Sequence, residues 1–412
     1  MDTGLSRRQL GLLAALALAI RLLYILLIAR DPVGVGGDAS FYHSAANQLA
    51  DGHFFYREIF GHAYPTALHP PLFSIVLAPV ALLGGVHVLA QRVVGCVIGS
   101  ISVALIALLA ARFGGKRAGL VAGGLAAVYP PLVTADGSLM SEPLYVLIVV
   151  VAMLLAKRRA TTVARAAALG AVIGLGILTR TEALLLLVLL VWPASWAPRA
   201  GRERRVAAAT LACAIVLAPW VIRNEVVFHR LELASNYNTV IAGANCHQTY
   251  YGPDIGWWTL DCLARARTRR QLLVGDASTS RGVSYARHHA GRALLVAAVR
   301  TLRTFSLYQP TRLGNHEPRR LWFDVLGLVL YYPLLLGAAW GLTRLREQRW
   351  VLLAPIFSAV IVSATGWGNG RFRVAADASL LVLAAVAFAG ARRPLSPARA
   401  RAPRVPQPIA AE

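Results

Sequence analysis

Long apolar runs constrain the fold of this chain more than any other feature. Residues Leu10–Ala29 are almost wholly apolar apart from Arg21, and several later runs are of similar length. A helix needs about 20 apolar residues to cross the hydrocarbon of a bilayer, and it satisfies its own backbone hydrogen bonds there. Only 15% of the 412 residues are charged, against about 25% in soluble domains. We therefore predict an all-α polytopic membrane protein.

The apolar runs predict a bundle of about ten transmembrane helices. These helices are expected at residues 9–29, 87–111, 117–134, 141–156, 163–179, 182–198, 206–222, 321–343, 350–366 and 372–391. The apolar segment Pro70–Leu83 is shorter, and a Pro-Pro pair favours the first turn of a helix. We predict that this segment forms an interfacial or re-entrant helix outside the bundle.

The positive charge predicts the orientation of the chain in the membrane. A net charge of +23 would suggest nucleic acid in a soluble protein. Here the arginines are concentrated in short loops between apolar runs, at 112–117, 157–165, 199–205 and 344–349. Cytoplasmic loops carry such an excess. We therefore predict a multi-pass plasma-membrane protein with both termini in the cytoplasm and no nucleic-acid partner.

The same topology places two long loops outside the cell. These are residues 30–86 and 223–320, and the second is long enough to fold as a cap with a helix near 283–304. Residues 1–394, loops included, are expected to form one membrane domain with extracytoplasmic juxtamembrane helices. Residues 395–412, rich in Pro, Ala and Arg, are expected to be a disordered cytoplasmic tail.

Cys246 and Cys262 both lie in the second outer loop. They can pair if that loop faces an oxidising compartment. The sequence leaves open whether they do.

Four short motifs follow one another at the predicted outer ends of the helices. They are GGDASFY at 36–42, HPPL at 69–72, SEPL at 141–144 and LTR at 178–180. The first motif places a carboxylate in a Gly-rich loop at the membrane edge. A carboxylate at the mouth of a hydrophobic bundle suggests chemistry on a substrate that lies partly in lipid.

The ordered set of motifs resembles the GT-C glycosyltransferases, and among them the protein mannosyltransferase-like and aminoarabinose-transferase-like branch. The resemblance extends over most of the chain and implies a GT-C-like bundle. It further implies a hexosyl- or pentosyltransferase that takes a sugar from a polyprenyl-phosphate donor. The acceptor would be an extracytoplasmic lipid, glycan or protein, and the anomeric centre is usually inverted. The partners implied are the lipid-linked sugar, the acceptor and the bilayer.

Three carboxylates are candidates for the reaction. Asp38 matches the catalytic Asp of the first outer loop, and a carboxylate there can take the proton of an acceptor hydroxyl. Its alternative role is a helix N-cap. Relatives often carry Asp-Glu here, whereas this chain has Asp38-Ala39. Glu142 and Asp136 are candidates for an acceptor-side second carboxylate. The alternative role of Glu142 is to offset the dipole at a helix N-terminus. The alternative for Asp136 is a simple turn residue.

Cationic side chains are expected near the leaving phosphate, because its negative charge grows during transfer. The candidates are His69, Arg180, Arg371 and Arg373. His69 stands where some relatives have Lys. The alternative roles of Arg180 are an ion pair with Glu182 and snorkelling to the interface. The alternative for Arg371 and Arg373 is anchoring at the interface.

Tyr42 and Trp257 are candidates for contact with the substrate from the outer loops. Aromatic residues in such loops also pack the loop onto the membrane, which is the alternative.

The sequence predicts no certain cofactor. It contains no P-loop, no Rossmann glycine pattern and no Cys/His metal spacing, which disfavours a nucleotide-sugar donor. A divalent metal stays open because carboxylates from separate loops can converge. Asp38 and Glu142 would then be its ligands.

Two other functions fit a polytopic protein with this pattern. One is a transporter or flippase for lipid-linked sugars, since polar residues within membrane helices suit transport. The lack of a visible inverted repeat and the position of the polar residues at outer loops argue against it. The other is a non-catalytic scaffold subunit with the same fold.

Overall fold

The computed structural model describes residues 4–29, 37–59, 62–83, 87–196, 198–263, 276–311, 320–345 and 347–389. The predicted disordered tail, 395–412, lies outside these ranges. The part of the chain that is described is almost entirely helical, which confirms the predicted all-α membrane fold.

The predicted spans near the N-terminus correspond closely to two helices. Helix α1 (Arg7–Leu23) begins with a Ser6 capping box and continues as a π-helix over Tyr24–Ile28. Later in the chain, α4 (Val88–Val128) contains a reversal at Gly115, where φ is 83°. Residues with a side chain rarely adopt that backbone conformation, whereas glycine does so freely. The two halves of α4 therefore form the pair of helices predicted at 87–111 and 117–134.

The remaining helices of the bundle follow in chain order. They are α5 (Pro130–Asp136), α6 (Glu142–Lys157), α7 (Val163–Ile177), α8 (Arg202–Phe228), α13 (Leu321–Arg344), α14 (Trp350–Thr365) and α15 (Val374–Ala389). The predicted helix at 182–198 is irregular. It consists of a 3₁₀ turn (Thr181–Leu184), a π-helix (Leu187–Val191) and one α-helical turn (Trp192–Ala194). The apolar run predicted a span but not its local geometry.

Five helices in the described ranges are long and apolar enough to cross a membrane by themselves. They are Arg7–Ile28, Val88–Val128, Arg202–Phe228, Leu321–Arg344 and Gly370–Ala389.

Small residues let the helices approach closely. A Cβ atom added to Gly170 of α7 would collide with the carbonyl oxygen of Ala209, and one added to Gly341 of α13 would collide with that of Leu383. Larger side chains at either glycine would force two helices apart. Membrane helices commonly pack through small residues, because lipid provides no hydrophobic driving force between them.

Two short helices lie between the first span and α4. Helix α2 (Asp38–Ala50) and helix α3 (Leu72–Leu82) pack together, and the buried side chains of Tyr42, Phe73 and Leu77 join them to the bundle. The 11 residues of α3 agree with the predicted non-spanning helix. Its first amide, that of Leu72, donates to the Leu178 carbonyl at 2.9 Å and so fixes α3 to the end of α7.

A small antiparallel hairpin lies between α2 and α3. It pairs β1 (Tyr56–Ile59) with β2 (His62–Pro65), so the all-α prediction missed one local element. Four-residue strands are too short for alternation of apolar and polar residues to reveal them.

The described part of the second loop predicted to lie outside, residues 229–263 and 276–311, folds as a cap over the bundle. It contains α9 (Asn236–Ala244), α10 (His247–Tyr250), α11 (Asp276–His288) and α12 (Ala290–Thr304). The single helix predicted near 283–304 is therefore two helices. Cys246 and Cys262 form a disulfide, with Cα atoms 6.3 Å apart. The pairing that the sequence left open is thus observed.

The ends of several helices meet on one side of the bundle, under the cap. These are the starts of α2, α6 and α15 and the end of α7. The basic loops at 157–165 and 199–205 adjoin the opposite ends of α6, α7 and α8. Positive loop charge and the converging helix ends are therefore on opposite sides.

Candidate active site

A cavity of about 900 Å³ lies where the helix ends meet the cap. Asp38 and His69 line it from the segment between α1 and α4, and Arg180 and Arg371 line it from the bundle. Trp257 contributes from the cap. A cavity of this size is in the range of small-molecule sites. Four predicted polar residues from distant parts of the sequence thus share one space.

Asp38 is bound on two sides by groups that stabilise its charge. Its Oδ2 atom accepts hydrogen bonds from Nη1 and Nη2 of Arg371 at 3.2 and 3.1 Å. Its Oδ1 atom lies 3.3 Å from Nε2 of His69. Gly37, not Asp38, is the N-cap of α2, and no side chain caps this helix. The alternative role of Asp38 as a capping side chain is therefore not what the structure shows.

Burial alone would raise the pKa of Asp38, but His69 and Arg371 outweigh that effect and hold the pKa well below its usual range. Asp38 is thus a stable carboxylate while these partners remain in place. The neighbouring Tyr42 is buried, and its ring centroid lies 5.3 Å from that of His69. Burial and the charge of Asp38 raise the pKa of Tyr42, so this phenol stays protonated and can donate a hydrogen bond.

Glu142 lies beneath the cavity and joins two arginines. Its Oε1 atom accepts from Nη1 of Arg180 at 2.8 Å and from Nε of Arg371 at 2.6 Å. The Nε atom of Arg180 donates to Glu182. From the sequence, Arg180 had two alternative roles, at the site or in an ion pair with Glu182. The structure shows that these are compatible, because the Arg180 guanidinium lines the cavity and also pairs with Glu182.

Three predicted site residues do not line the cavity: Glu142, which lies beneath it, and Asp136 and Arg373, which lie farther inside the bundle. Asp136 is buried inside the bundle, where its Oδ2 atom accepts from Nε of Arg21 at 2.6 Å. Arg373 is also buried, with its Nε atom 3.1 Å from Asp377 Oδ1. A buried charge must be paired, and these partners supply the counter-charge. The sequence predicted both side chains at the site, whereas the structure buries them in ion pairs, because the sequence does not reveal which helix face carries each side chain.

The arrangement is not that of a metal centre. The Arg371 guanidinium lies between Asp38 and Glu142, where a metal ion shared by the two carboxylates would have to sit. Among the described residues, no three Asp, Glu, His or Cys side chains form a group that could hold a metal. The two carboxylates are bridged by the guanidinium of Arg371, and we assign no step to a metal.

Sequence reasoning missed several cavity residues. Arg92 of α4, Arg303 of α12 and Trp367 also line the cavity. Arg92 interrupts a predicted span, and charged residues in spans are rare and functional, so that signal was available. Arg303 and Trp367 had no such signal, because neither interrupts a predicted span. The indole of Trp367 packs edge-on against Trp257, with centroids 5.5 Å apart.

Comparison with known proteins gives a family match over part of the chain. Residues 68–222 match the family described as dolichyl-phosphate-mannose-protein mannosyltransferase. This match contains His69, Glu142 and Arg180 but not Asp38 or Arg371. A search of curated protein sequences finds no significant match.

Solved structures extend the similarity to most of the chain. The archaeal oligosaccharyltransferase AglB from Archaeoglobus fulgidus, in complex with an inhibitory peptide and a dolichol-phosphate, is 15% identical with a TM-score of 0.54. This match covers 92% of the present chain and 50% of AglB. The A. fulgidus oligosaccharyltransferase in complex with Zn and sulfate is 17% identical with a TM-score of 0.52, covering 92% and 48% of the two chains.

ArnT from Cupriavidus metallidurans bound to undecaprenyl phosphate superposes less closely. It is 15% identical, with a TM-score of 0.47 and coverage of 92% and 77%. The chain spans about half the length of the oligosaccharyltransferase structures that it matches. The chain therefore has the fold of the GT-C glycosyltransferases, and within it residues 68–222 match the protein mannosyltransferase family.

Proposed function

We propose that this protein is a membrane glycosyltransferase. It moves a hexosyl or pentosyl group from a polyprenyl-phosphate donor to an extracytoplasmic acceptor, with inversion of the anomeric carbon. One observation carries the proposal: a carboxylate and two arginines from distant parts of the chain converge on one cavity. Those are the groups that sugar transfer from a lipid phosphate requires.

Asp38 acts as the general base. Its side chain is 36% exposed and faces the cavity, so an acceptor hydroxyl can approach it. The acceptor oxygen bonds to the anomeric carbon while its proton passes to the Asp38 carboxylate. General-base catalysis of this kind contributes about 10²–10⁴-fold to the rate.

Arg371 and Arg180 hold the leaving group. As the bond between the anomeric carbon and the phosphate oxygen breaks, both electrons remain on that oxygen, and the polyprenyl phosphate leaves with one more negative charge. A guanidinium binds phosphate oxygens in a fork, and fixed positive charge near the developing charge lowers the barrier. His69, at the same wall of the cavity, donates a further hydrogen bond.

A lipid-phosphate donor is supported by the relatives as well as by the charges. The AglB structure contains a dolichol-phosphate and a peptide, and its fold is similar to the fold of this chain. The matched mannosyltransferase family takes its description from a dolichyl-phosphate sugar. We extend to this chain only the shared chemistry, a sugar carried on a prenyl phosphate.

The cavity faces the extracytoplasmic side in this proposal. The basic loops lie at the other end of the bundle, which the positive-inside rule assigns to the cytoplasm. In this proposal both termini lie on that side as well. The Cys246–Cys262 disulfide in the cap is suited to an oxidising compartment.

Transfer by purified protein tests the function. The assay would supply a polyprenyl-phosphate sugar and measure released polyprenyl phosphate. Asp38→Asn should lower the rate about 10²–10⁴-fold, because the amide cannot accept the proton. Asp51→Asn is the matched control, since Asp51 is exposed at the other end of α2. Full activity of a correctly folded Asp38→Asn protein would refute the assignment of the base.

Reconstituted vesicles separate this function from lipid transport. A flippase would move the lipid-linked sugar across the bilayer without breaking the sugar–phosphate bond. Movement of intact donor in the absence of any transfer would favour the transport alternative over ours.

A further inference from the structure

Arg371 makes two contacts of different character. Its Nε atom donates to Glu142 Oε1 at 2.6 Å on the inner side. Its Nη1 and Nη2 atoms donate to Asp38 Oδ2 on the side of the cavity. The guanidinium therefore has an inner edge and an outer edge, each occupied by a carboxylate.

The two carboxylates differ in how easily they can leave. The Glu142 side chain is 3% exposed and is also held by Arg180. The Asp38 side chain is 36% exposed at the cavity wall. Moving Glu142 would remove a shared counter-charge from two guanidinium groups that are only 11% and 15% exposed, which is costly. Moving Asp38 would transfer a carboxylate into the solvated cavity at much lower cost. Asp38 is the exchangeable partner.

An incoming phosphate meets a cluster whose charges are already compensated. Arg371 and Arg180 face three carboxylates, those of Asp38, Glu142 and Glu182. A phosphate binds strongly through the paired outer nitrogens of a guanidinium. On Arg371 those nitrogens are bonded to Asp38. The phosphate can take this edge only if the carboxylate moves aside.

We propose that Asp38 occupies the donor-phosphate site until the donor binds. The phosphate of the lipid donor and the Asp38 carboxylate compete for the outer edge of Arg371, and donor binding releases Asp38 to accept the acceptor's proton. Glu142 is a positioning residue that keeps its hold on the inner edge in both states. This inference rests on the proposed function and adds an order: the donor binds before the base is available.

The exchange also explains how a strongly paired carboxylate can serve as a base. A carboxylate held by Arg371 and His69 binds protons poorly, and a weak base contributes little to proton transfer. Once phosphate replaces Asp38 on Arg371, one stabilising cation is lost and a negative charge lies nearby. Both changes make Asp38 more basic. The base is thereby strengthened only when a donor is present.

Binding of farnesyl phosphate to the purified protein in detergent tests the competition. Titration calorimetry would compare wild type, Asp38→Asn, Arg371→Leu and the double variant. Removal of the competing carboxylate should tighten binding roughly tenfold, the scale of one charge-assisted hydrogen bond. This gain should vanish in the Arg371→Leu background, because there is then no shared edge to compete for. The Asp51→Asn protein should bind as wild type does.

Other outcomes would overturn the inference. Unchanged or weaker binding by Asp38→Asn means that the carboxylate does not compete. An equal gain in the Arg371→Leu background means that only long-range repulsion was removed. If the wild type transfers sugar while either result is found, the inference fails and the proposed function stands. If the wild type neither binds farnesyl phosphate nor transfers sugar, both fail.

The positioning role of Glu142 has its own measurement. Glu142→Gln keeps the size of the side chain but removes the charge that holds both arginines. The donor KM should rise roughly tenfold with a smaller change in kcat, because the proton acceptor is untouched. A loss confined to kcat would instead assign Glu142 to the chemical step and overturn the positioning role.

Discussion

The Arg371–Asp38 pair and the Arg21–Asp136 pair join the same two kinds of side chain in opposite surroundings. Asp38 is 36% exposed at a cavity, whereas Arg21 is fully buried and Asp136 is 3% exposed. An ion pair enclosed by helices cannot exchange its partner without leaving an uncompensated charge. An ion pair at a cavity can exchange its partner for a ligand. The ion pair at the candidate site and the ion pair inside the bundle therefore differ in their access to the cavity, not in residue type.

Arg371 and Arg373 give the sharpest test of this comparison. Arg371→Leu should lower kcat/KM for transfer by about 10²–10³-fold, because the charge at the leaving phosphate is lost. The fold should persist, since the freed Asp38 side chain can be solvated. Transfer rates and thermal unfolding in detergent would be measured together.

Arg373→Leu should mainly reduce stability. Asp377 would remain fully buried without its counter-charge, which costs about 3–5 kcal/mol. A stable Arg373→Leu protein with no transfer would contradict the comparison, because it would place Arg373 in the site.

Asp136→Ala should destabilise the bundle by about 3 kcal/mol and leave the catalytic constants of the folded fraction close to wild type. It leaves the fully buried Arg21 without its partner. The double variant Arg21→Met, Asp136→Ala should recover part of this loss, since no charge is then stranded. A double variant less stable than Asp136→Ala alone would show that the pair does more than neutralise itself.

Removal of the cap disulfide should have a smaller effect, confined to the side of the protein that carries the cavity. Trp257 and Trp258 lie between Cys246 and Cys262 and line the cavity. Replacing both cysteines by Ala loosens that wall, so a substrate KM should rise roughly three- to tenfold. The thermal unfolding of the bundle should change little. A large loss of bundle stability would mean that the cap and the helices do not act independently.

Mild acid should change the stability of the protein less than any of these substitutions. The pKa of Asp38 is lower in the folded state than its ordinary value of 3.8, so ionised Asp38 stabilises the fold above that pH. The contribution is lost only as the pH falls toward the folded value. The difference in melting temperature between wild type and Asp38→Asn should therefore be constant between about pH 4 and pH 5. A difference that declines steadily across this range would show that Asp38 is not held as proposed.

The sequence predicted much of this arrangement from local signals. Apolar runs indicated the membrane fold, and charged loops indicated which helix ends lie together. The GGDASFY motif identified Asp38, which lines the cavity. The β-hairpin and the broken helix at 181–194 were not predicted, because each depends on a few residues whose pattern is too short to interpret.

Hydrophobicity and motif order alone determined that the chain crosses a membrane and carries a carboxylate and cations at one end. Only the tertiary structure decided which of those charges meet. Arg371 and Arg373 stand two residues apart in the turn before α15, so they point in different directions. Arg373 pairs with Asp377 one turn along α15, whereas Arg371 meets Asp38 and Glu142 from other helices. Partners hundreds of residues away, brought close by packing, place Arg371 at the cavity, while its neighbour Arg373 is enclosed inside the bundle.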